Sequence, residues 1–330
     1  MTRPKPVLVS GASGSIGSQL VKRLCQSGQP VRALVRNPER AAWLRSMPEV
    51  EIFPGDLSRP ESLAGCAKGC SLVYHCAAQL TTLDWKKARR VNISGTRALL
   101  EEAERAGVEH LVYTSTIGVY GPCQAETITE ETPWSSYHQA YFDTKQEAER
   151  IVSKFTERLP LTIARLGDVV GPGQHIWTVD LIEKLNRGLL NPPLDSESGF
   201  LNPLYIDNLL DALLLIGGQP ACGQVYNVVD GTPIRSSDYF RRLAQLAGKR
   251  IRAVPAVLLK AATVLLVGVE ILAGREVTAI PGSIDYLLRR GRIYPDKIHA
   301  SLGWSPAVPE EDAFERTGQW LRQAGYIGNP

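Results

Sequence analysis

The sequence predicts an α/β protein in which a doubly wound parallel sheet carries a smaller, interleaved C-terminal part. In residues 7–24 an apolar run is followed by glycines spaced three apart and then by apolar residues at helical spacing. Strand-like and helix-like patterns then alternate through residue 116, which is typical of parallel sheets. Residues 225–228 form an apolar run that reads as a strand returning to the sheet from the second half of the chain.

The elements follow one another at short intervals. The predicted strands are residues 7–10, 30–36, 51–57, 71–78 and 111–116. Helices are predicted after the glycines, after Asn37-Pro38 through Leu44, and from Trp85 to Ala106, where Gly107 ends the last one. We therefore expect one domain over residues 1–170 with return segments near 200–230, and a substrate-binding part mainly over 171–330.

Composition excludes several classes of function. The chain has 330 residues with 37 basic and 34 acidic side chains, a formal charge of +3 that is too small to indicate nucleic-acid binding. Its six cysteines form no Cys-x-x-Cys pair and no zinc-type cluster, so we expect free thiols and no metal. The first strand begins by Val7, which leaves no room for a signal peptide and indicates a cytoplasmic protein.

The glycine-spaced turn at residues 11–17 predicts a nucleotide site. Glycines let the backbone approach a pyrophosphate closely, and the following helix N-terminus offers N–H groups and a positive dipole end to that anion. The spacing is one residue longer than the Gly-x-Gly-x-x-Gly pattern of dinucleotide-binding folds. A tight turn without a ligand is the alternative, and the strand and helix on either side favour the nucleotide site.

Arg36 suggests which dinucleotide is bound. About twenty residues past the glycines, an acidic side chain would bond the adenosine ribose 2′-hydroxyl, and here Val35-Arg36 stands instead. An arginine at this place favours a 2′-phosphate, so we expect NADP(H) over NAD(H). A solvated strand end is the alternative for Arg36, and NAD(H) binding stays open.

Two further strand ends face the same edge of the predicted sheet. Ligands of open parallel sheets lie beyond the carboxyl ends of the strands. Asp56 is therefore placed for the adenine edge, with an ordinary turn aspartate as its alternative, and Ala77-Ala78 allow close approach near the ribose and phosphates.

Tyr141 and Lys145 form a candidate proton-transfer pair. They stand four residues apart in a helix-compatible run, which places both on one helix face. A nearby ammonium favours the phenolate and would bring the tyrosine pKa toward neutral pH. A tyrosine and a lysine at this spacing often occur by chance in helices. The functional interpretation is favoured here because the fifth predicted strand ends in three hydroxyl side chains, Thr114-Ser115-Thr116.

These motifs together resemble an extended short-chain dehydrogenase/reductase of the NAD-dependent epimerase/dehydratase superfamily, with a Rossmann sheet. The resemblance covers nearly the full length and rests on Gly11-x-x-Gly14-x-x-Gly17, Asp56-Leu57, Asn92 in 91–96, the segment 113–121, and Tyr141-x-x-x-Lys145. It implies hydride transfer between a nicotinamide cofactor and a carbinol or carbonyl carbon.

The resemblance also implies a role for each motif residue. Thr116, where serine is commoner, would hold the substrate oxygen, Tyr141 would move its proton, and Lys145 would also bond the nicotinamide ribose. Asn92 would support the proton path, and Ser115 beside Thr116 is a further candidate. The predicted cofactor-binding residues are Gly11, Ser13, Gly14, Ser15, Ile16, Gly17, Arg36, Asp56, Leu57, Ala77, Ala78, Lys145 and Val169.

The second half of the chain suggests a substrate class. Residues 204–212 resemble the 3β-hydroxysteroid dehydrogenase/isomerase group and its sterol-decarboxylating relatives. Nucleotide-sugar epimerases usually carry Arg-Asp-Tyr-x-His there, whereas this chain has Leu201-Asn202-Pro203-Leu204-Tyr205 and lacks the diphosphate-binding arginine. We therefore expect an NADP(H)-dependent oxidoreductase acting on a small hydrophobic, sterol-like substrate. A nucleotide-sugar epimerase or dehydratase of the same fold and a non-catalytic NADP-binding sensor are the alternatives.

Residues 255–274 form an apolar segment that is too short and too interrupted to span a bilayer. On a helical wheel Lys260, Thr263, Glu270 and Gly274 share one narrow sector, and apolar residues cover the remaining arc. Burial in the substrate-binding part and peripheral membrane association are equally compatible with this pattern. Arg289, Arg290 and Arg292 follow and could meet anionic headgroups. A homodimer is also compatible with the sequence.

Overall fold

The computed structural model describes residues 4–80, 82–123, 125–193, 199–219, 222–273 and 283–328. The described strands are β1 (Val7–Ser10), β2 (Val31–Val35), β3 (Val50–Pro54), β4 (Leu72–His75), β5 (His110–Thr116), β6 (Thr127–Ile128), β7 (Leu161–Leu166), β8 (Asp168–Val170), β9 (Phe200–Leu201), β10 (Pro203–Tyr205), β11 (Val225–Val228), β12 (Ile234–Arg235) and β13 (Arg292–Ile293). The helices are α1 (Ser15–Gln26), α2 (Trp85–Arg89), α3 (Thr96–Arg105), α4 (Ala140–Phe155), α5 (Asp180–Asn186), α6 (Ile206–Gly218), α7 (Ser236–Leu246), α8 (Ala256–Leu272), α9 (Ser283–Leu287), α10 (Asp296–Leu302) and α11 (Glu310–Gln323).

Among the described residues, seven strands form the central sheet in the order β11-β7-β5-β4-β1-β2-β3. β3, β2, β1, β4 and β5 pair in parallel, with Ser10 of β1 opposite Leu34 of β2 and His75 of β4. The chain reverses direction across the sheet between β1 and β4, where ligands bind in doubly wound folds. The predicted doubly wound α/β fold is confirmed, and β11 is the strand that was expected to return to the sheet.

Two predicted helices differ from the structure. The segment predicted as one helix from Trp85 to Ala106 is α2 and α3 joined by a π-helical turn at Arg90–Gly95. The segment after Asn37-Pro38 forms only a short 3₁₀ helix at Ala42–Ser46. The Asn37 side chain accepts bonds from the amides of Glu39 and Arg40, which stabilises a turn where the sequence pattern suggested a helix.

The chain forms two compact units. The first comprises residues 1–116, 140–165 and 210–226, and the second comprises 117–139, 166–209 and 227–330. The sequence-based division near residue 170 gave residues 117–139 to the first domain, and the structure groups them with the second unit.

The first unit is held together by an apolar core against the central sheet. Leu8, Val73, Leu111 and Leu161 from four strands pack with helix residues such as Leu99, and each of these side chains is fully buried. Because parallel strands are covered on both faces, they are apolar along most of their length. This core fixes the carboxyl ends of the strands, where the candidate site lies.

The second unit contains short two-stranded pairings, β8 with β10 in parallel and β9 with β12 antiparallel. A buried ion pair joins Arg289 to Asp168, and the Arg289 guanidinium lies over the Tyr286 ring. The expectation that Arg289 is available to a charged surface is therefore wrong. No helix of the described residues is long and apolar enough to cross a membrane.

Candidate active site

The glycine turn is shaped by close backbone contacts. Gly11 has φ +69, and a Cβ added there would lie 2.9 Å from the Ala77 backbone. A Cβ on Gly17 would lie 2.2 Å from the Gly11 carbonyl oxygen, and the Gly14 amide donates to that same oxygen at 2.8 Å. Side chains at these positions would fill the turn, so the sequence keeps a cradle open at the end of β1.

The helix after this turn starts at Ser15 without a side-chain cap, and Gly14 is its N-cap residue. The first N–H groups of an α-helix have no hydrogen-bond acceptor within the helix, and they form the positive end of the helix dipole. Ser13, Ser15 and Ile16 lie in or directly after the turn as expected. The residues present therefore fit the pyrophosphate of a dinucleotide.

The end of β4 closes one side of the cradle. The Ser10 Oγ lies 2.7 Å from Nδ1 of His75, and it accepts a bond from the Ala77 amide at 3.3 Å. The second ring nitrogen of His75 lies 2.9 Å from the Thr96 hydroxyl. Burial lowers the His75 pKa to about 3, so this imidazole is neutral. Ala78 follows with a partly exposed side chain.

Arg36 and Asp56 stand at the ends of β2 and β3. Arg36 is exposed directly after Val35, and within the described ranges it has no ion-pair partner. Asp56 instead accepts two bonds from Ser58, from its amide and its hydroxyl, both at 2.8 Å. Asp56 thus stabilises a local turn, the alternative considered for it, while Leu57 is buried in the core.

Tyr141 lies beside Thr116. A hydrogen bond joins the two hydroxyl groups, which brings the end of β5 and the start of α4 together. Burial raises the Tyr141 pKa to about 12, and the bond from Thr116 opposes this shift. The sequence predicted a Tyr141 pKa lowered by Lys145, whereas burial raises this pKa in the structure.

Lys145 places its ammonium against β5. Its Nζ donates to the Tyr113 hydroxyl at 2.6 Å and to the Thr114 carbonyl at 2.8 Å. Burial lowers the Lys145 pKa to about 7, while the charge of Glu149 and, to a lesser extent, Cys76 act in the opposite direction. The ammonium is thus half-titrated close to neutral pH.

Ser115 and Glu149 form a separate buried cluster. The Ser115 hydroxyl donates to the Glu149 carboxylate, which also accepts from Nε of Arg165 at 2.8 Å. Neighbouring strand residues point to opposite faces, so Ser115 and Thr116 cannot both face Tyr141. The structure brings Thr116 to Tyr141 and places Ser115 on the carboxylate.

Asn92 anchors the helix that carries the candidate pair. Its side-chain amide donates to the Thr144 hydroxyl at 3.0 Å and to the Gln79 carbonyl, and its oxygen accepts from the Gln79 amide at 2.7 Å. Asn92 lies in the π-helical turn, a distortion that often marks functional sites. These bonds hold the residue preceding Lys145 in place.

The structure therefore brings together Thr116, Tyr141 and Lys145 with Asn92 in support, within the first unit. Val169 lies in β8 of the second unit, where it pairs in register with Leu204.

The residues that sequence reasoning missed are Tyr113, which holds Lys145, and the Glu149–Arg165 ion pair. Glu149 follows Lys145 by four residues, so its place on the same helix face was detectable. The partners Tyr113 and Arg165 lie on strands distant in sequence, and no local pattern indicated them.

Comparison with known proteins gives a family model and relatives. The model described as NAD dependent epimerase/dehydratase family matches residues 7–229. A 3 beta-hydroxysteroid dehydrogenase/Delta 5-->4-isomerase of Mycobacterium tuberculosis is 28% identical over 261 residues, covering 74% of this chain and 70% of the relative. A ceramide reductase of Caulobacter vibrioides is 25% identical over 330 residues, covering 97% and 96%.

Among solved structures, MoeE5 in complex with UDP-glucose and NAD superposes with a TM-score of 0.76. It is 24% identical, and the match covers 97% of this chain and 99% of that one. At this identity the likeness shows the fold alone.

Proposed function

The chain belongs to the NAD dependent epimerase/dehydratase family, an NAD-dependent oxidoreductase family of enzymes, and we propose that it reduces a ketone to a secondary alcohol on a hydrophobic, sterol-like substrate with NADPH. The observation that carries the catalytic part is the hydrogen bond between Tyr141 and Thr116, next to the buried ammonium of Lys145. A silent NADP-binding sensor would need no such assembly.

Tyr141 is the proton donor in this proposal. With its pKa raised to about 12, the phenol keeps its proton at neutral pH and can give it to the oxygen of a carbonyl that is being reduced. Thr116 donates a hydrogen bond to the same oxygen and fixes its position. Lys145 lies one helical turn away, where its charge favours the phenolate that remains after the transfer.

The cofactor is held by the backbone more than by side chains. A nicotinamide dinucleotide supplies or accepts the hydride in this chemistry. Gly11, Gly14 and Gly17 with the α1 N-terminus would receive its pyrophosphate, and Ala77 allows close approach beside them. Arg36 supports the choice of NADPH because its exposed guanidinium is available to a 2′-phosphate. The acidic residue that would bind the 2′-hydroxyl of NADH is absent from the end of β2.

The substrate class is supported by the segment at residues 201–205. Its five side chains are all buried, and none of them is basic. An arginine that could hold a sugar diphosphate is therefore absent from this segment. Two of the relatives named above are described as acting on a steroid and on a ceramide, both hydrophobic molecules.

The test measures NADPH oxidation with a panel of steroid and other polycyclic ketones, and conversion of a panel of UDP- and dTDP-sugars by chromatography, because epimerisation and dehydration consume no net NADPH. We expect turnover with the ketones, and Tyr141→Phe should lower kcat by about a hundredfold or more while the Kd for NADPH is kept. Phe142→Leu, a change to the adjacent ring, is the matched control. Turnover of nucleotide sugars alone would overturn the substrate class, and a fully active Tyr141→Phe enzyme would overturn the proton donor.

A further inference from the structure

Helix α8 turns its apolar residues outward. Seven large side chains of this helix are between 47% and 89% exposed. They are Val257, Leu258, Val264, Leu265, Leu266, Val269 and Leu272. At 100° per residue they span an arc of about 200°, more than half of the helix circumference. Single exposed apolar residues are ordinary, but a contiguous face of this kind marks a surface that contacts something apolar.

The polar residues of α8 face the protein. Glu270 is 8% exposed, and the Lys260 ammonium pairs with Asp285 of α9 at 2.6 Å. Thr263 returns its hydroxyl to the Leu259 carbonyl within the helix. The sector that the sequence identified as polar is thus the inner side, and Gly274, the fourth member, lies outside the described residues. Burial of the apolar face, one of the two expectations, is therefore wrong for α8.

The beginning of α8 is anchored to the second unit. The Val254 amide donates to the Pro192 carbonyl at 3.1 Å, and Val254 forms a β-bridge with Pro193. The Lys260–Asp285 pair adds a second contact one turn into the helix, on the side opposite the exposed apolar face.

In the segment that leads into α8 and continues up to Glu270, every charged side chain is basic. Residues 239–269 contain six basic side chains and no acidic one. Arg241, Arg242 and Lys260 are neutralised by carboxylates from outside this segment. Lys249, Arg250 and Arg252, just before the helix, are exposed and have no ion-pair partner in the part of the chain that the structure describes.

We propose that α8 lies flat on an anionic lipid surface, with its outward leucines and valines in the acyl boundary and the Lys249-Arg250-Ile251-Arg252 segment at the headgroups. An exposed apolar helix face beside unpaired cations offers an anionic bilayer both apolar contact and charge attraction. Each cation close to an anionic leaflet strengthens attachment, and apolar burial provides the rest.

A second copy of the chain fits this surface less well than lipid does. A helix of 17 residues is about 25 Å long and about 10 Å wide, a footprint of about 250 Å², whereas a stable dimer buries about 800 Å² per partner.

The test is flotation of the full chain with vesicles of phosphatidylcholine alone and of phosphatidylcholine with phosphatidylglycerol, at low salt and without substrate. We expect the protein to float with the anionic vesicles. Leu265→Glu/Leu272→Glu should stay at the bottom, while Gln26→Glu/Gln323→Glu, which adds the same charge at exposed positions elsewhere, should float. Circular dichroism verifies that each variant is folded.

Replacing Lys249, Arg250 and Arg252 by Ser measures the electrostatic part. Each lost cation should weaken binding to anionic vesicles about fivefold. Wild-type protein that stays with the soluble fraction, or a leucine variant that floats equally well, would overturn the proposal. So would a stable dimer that Leu265→Glu/Leu272→Glu dissociates and that never binds vesicles. The proposal goes beyond the proposed function and does not depend on it, because flotation requires no turnover.

Discussion

Arg36 is the residue on which the cofactor preference depends. Arg36→Ala should weaken NADPH binding by about 1.5 to 3 kcal/mol, the scale of a charge-assisted hydrogen bond, and leave NADH affinity nearly unchanged. Titration of both cofactors by fluorescence measures the two constants. Arg45→Ala removes another exposed arginine, one that pairs with Glu39, and should alter neither. Equal losses for NADPH and NADH would show that Arg36 does not contact a 2′-phosphate.

Glu149 is expected to keep Lys145 charged. Its carboxylate raises the Lys145 pKa against the effect of burial, so Glu149→Gln should move the limb of the kcat/KM pH profile near pH 7 to lower pH by about one unit. The Arg165 guanidinium would then be buried without its partner, which costs about 3 to 5 kcal/mol of stability.

The double variant Glu149→Gln/Arg165→Met separates the two effects. It removes the buried guanidinium together with the carboxylate and should recover stability, yet the displaced pH limb should remain because the carboxylate is still missing. Glu147→Gln, on the exposed side of α4, should leave the limb in place. A limb that returns to its wild-type position in the double variant would mean that Glu149 acts only through folding.

At the scale of elements, α4 presents three side chains of the site on one surface. Tyr141, Lys145 and Glu149 follow one another at intervals of four residues, so they line one helix face toward β5. Asn92 fixes the helix through Thr144, next to Lys145. The π-helical turn between α2 and α3 is what directs Asn92 toward α4, and a regular helix through Arg90–Gly95 would rotate it away.

The β1–α1 turn makes a second prediction at this scale. In Gly17→Ala the added Cβ would meet the Gly11 carbonyl oxygen at 2.2 Å, so the backbone must move. We expect the affinity for NADPH and NADH to fall together, by at least tenfold, because both share the pyrophosphate. Isothermal titration calorimetry provides the measurement.

Gly28→Ala is the matched control for this turn. Gly28 has φ +75 and nothing within 4 Å of an added Cβ, so the change strains the backbone without a collision. It should lower the free energy of unfolding by about 1 to 2 kcal/mol and leave cofactor affinity unchanged. If Gly17→Ala binds both cofactors normally, the turn does not hold the pyrophosphate.

At the scale of the whole molecule, protonation of His75 makes the stability of the folded protein depend on pH. Its pKa is about 3 in the folded protein and 6.5 when it is free, so the unfolded state binds a proton that the folded state refuses between these values. Stability contributed by neutral His75 is complete above pH 6.5 and declines as pH falls toward 3, by about 5 kcal/mol in total.

His75→Gln should remove this pH dependence. Urea unfolding at pH 7 and pH 4 gives the free energy for each protein, and the loss between the two pH values should be smaller in the variant. His138, whose exposed imidazole lies in a loop, supplies the control His138→Gln with an unchanged loss. Identical losses in wild type and His75→Gln would contradict a neutral buried imidazole.

The sequence by itself determined the doubly wound sheet, the glycine turn, and the Tyr141 and Lys145 positions. Each of these rests on local information: apolar periodicity identifies strands and helices, glycines at 11, 14 and 17 leave the turn open, and a four-residue interval places two side chains on one helix face. Contacts between residues a few positions apart produce a local sequence pattern, so the sequence alone is enough to predict them.

Only the tertiary structure decided which partner each polar side chain binds and which face of α8 is exposed. Lys145 binds Tyr113 and Ser115 binds Glu149, because partners distant in sequence compete for each polar group, whereas Asp56 bonds Ser58 within its own turn. For α8 the wheel showed a narrow polar sector and a broad apolar one. The wheel could not show which of the two points outward, and the tertiary structure places the apolar sector there, with Lys260 paired to Asp285 on the other side. Long-range pairing, not propensity, sets these directions, because a buried polar group goes where its partner lies.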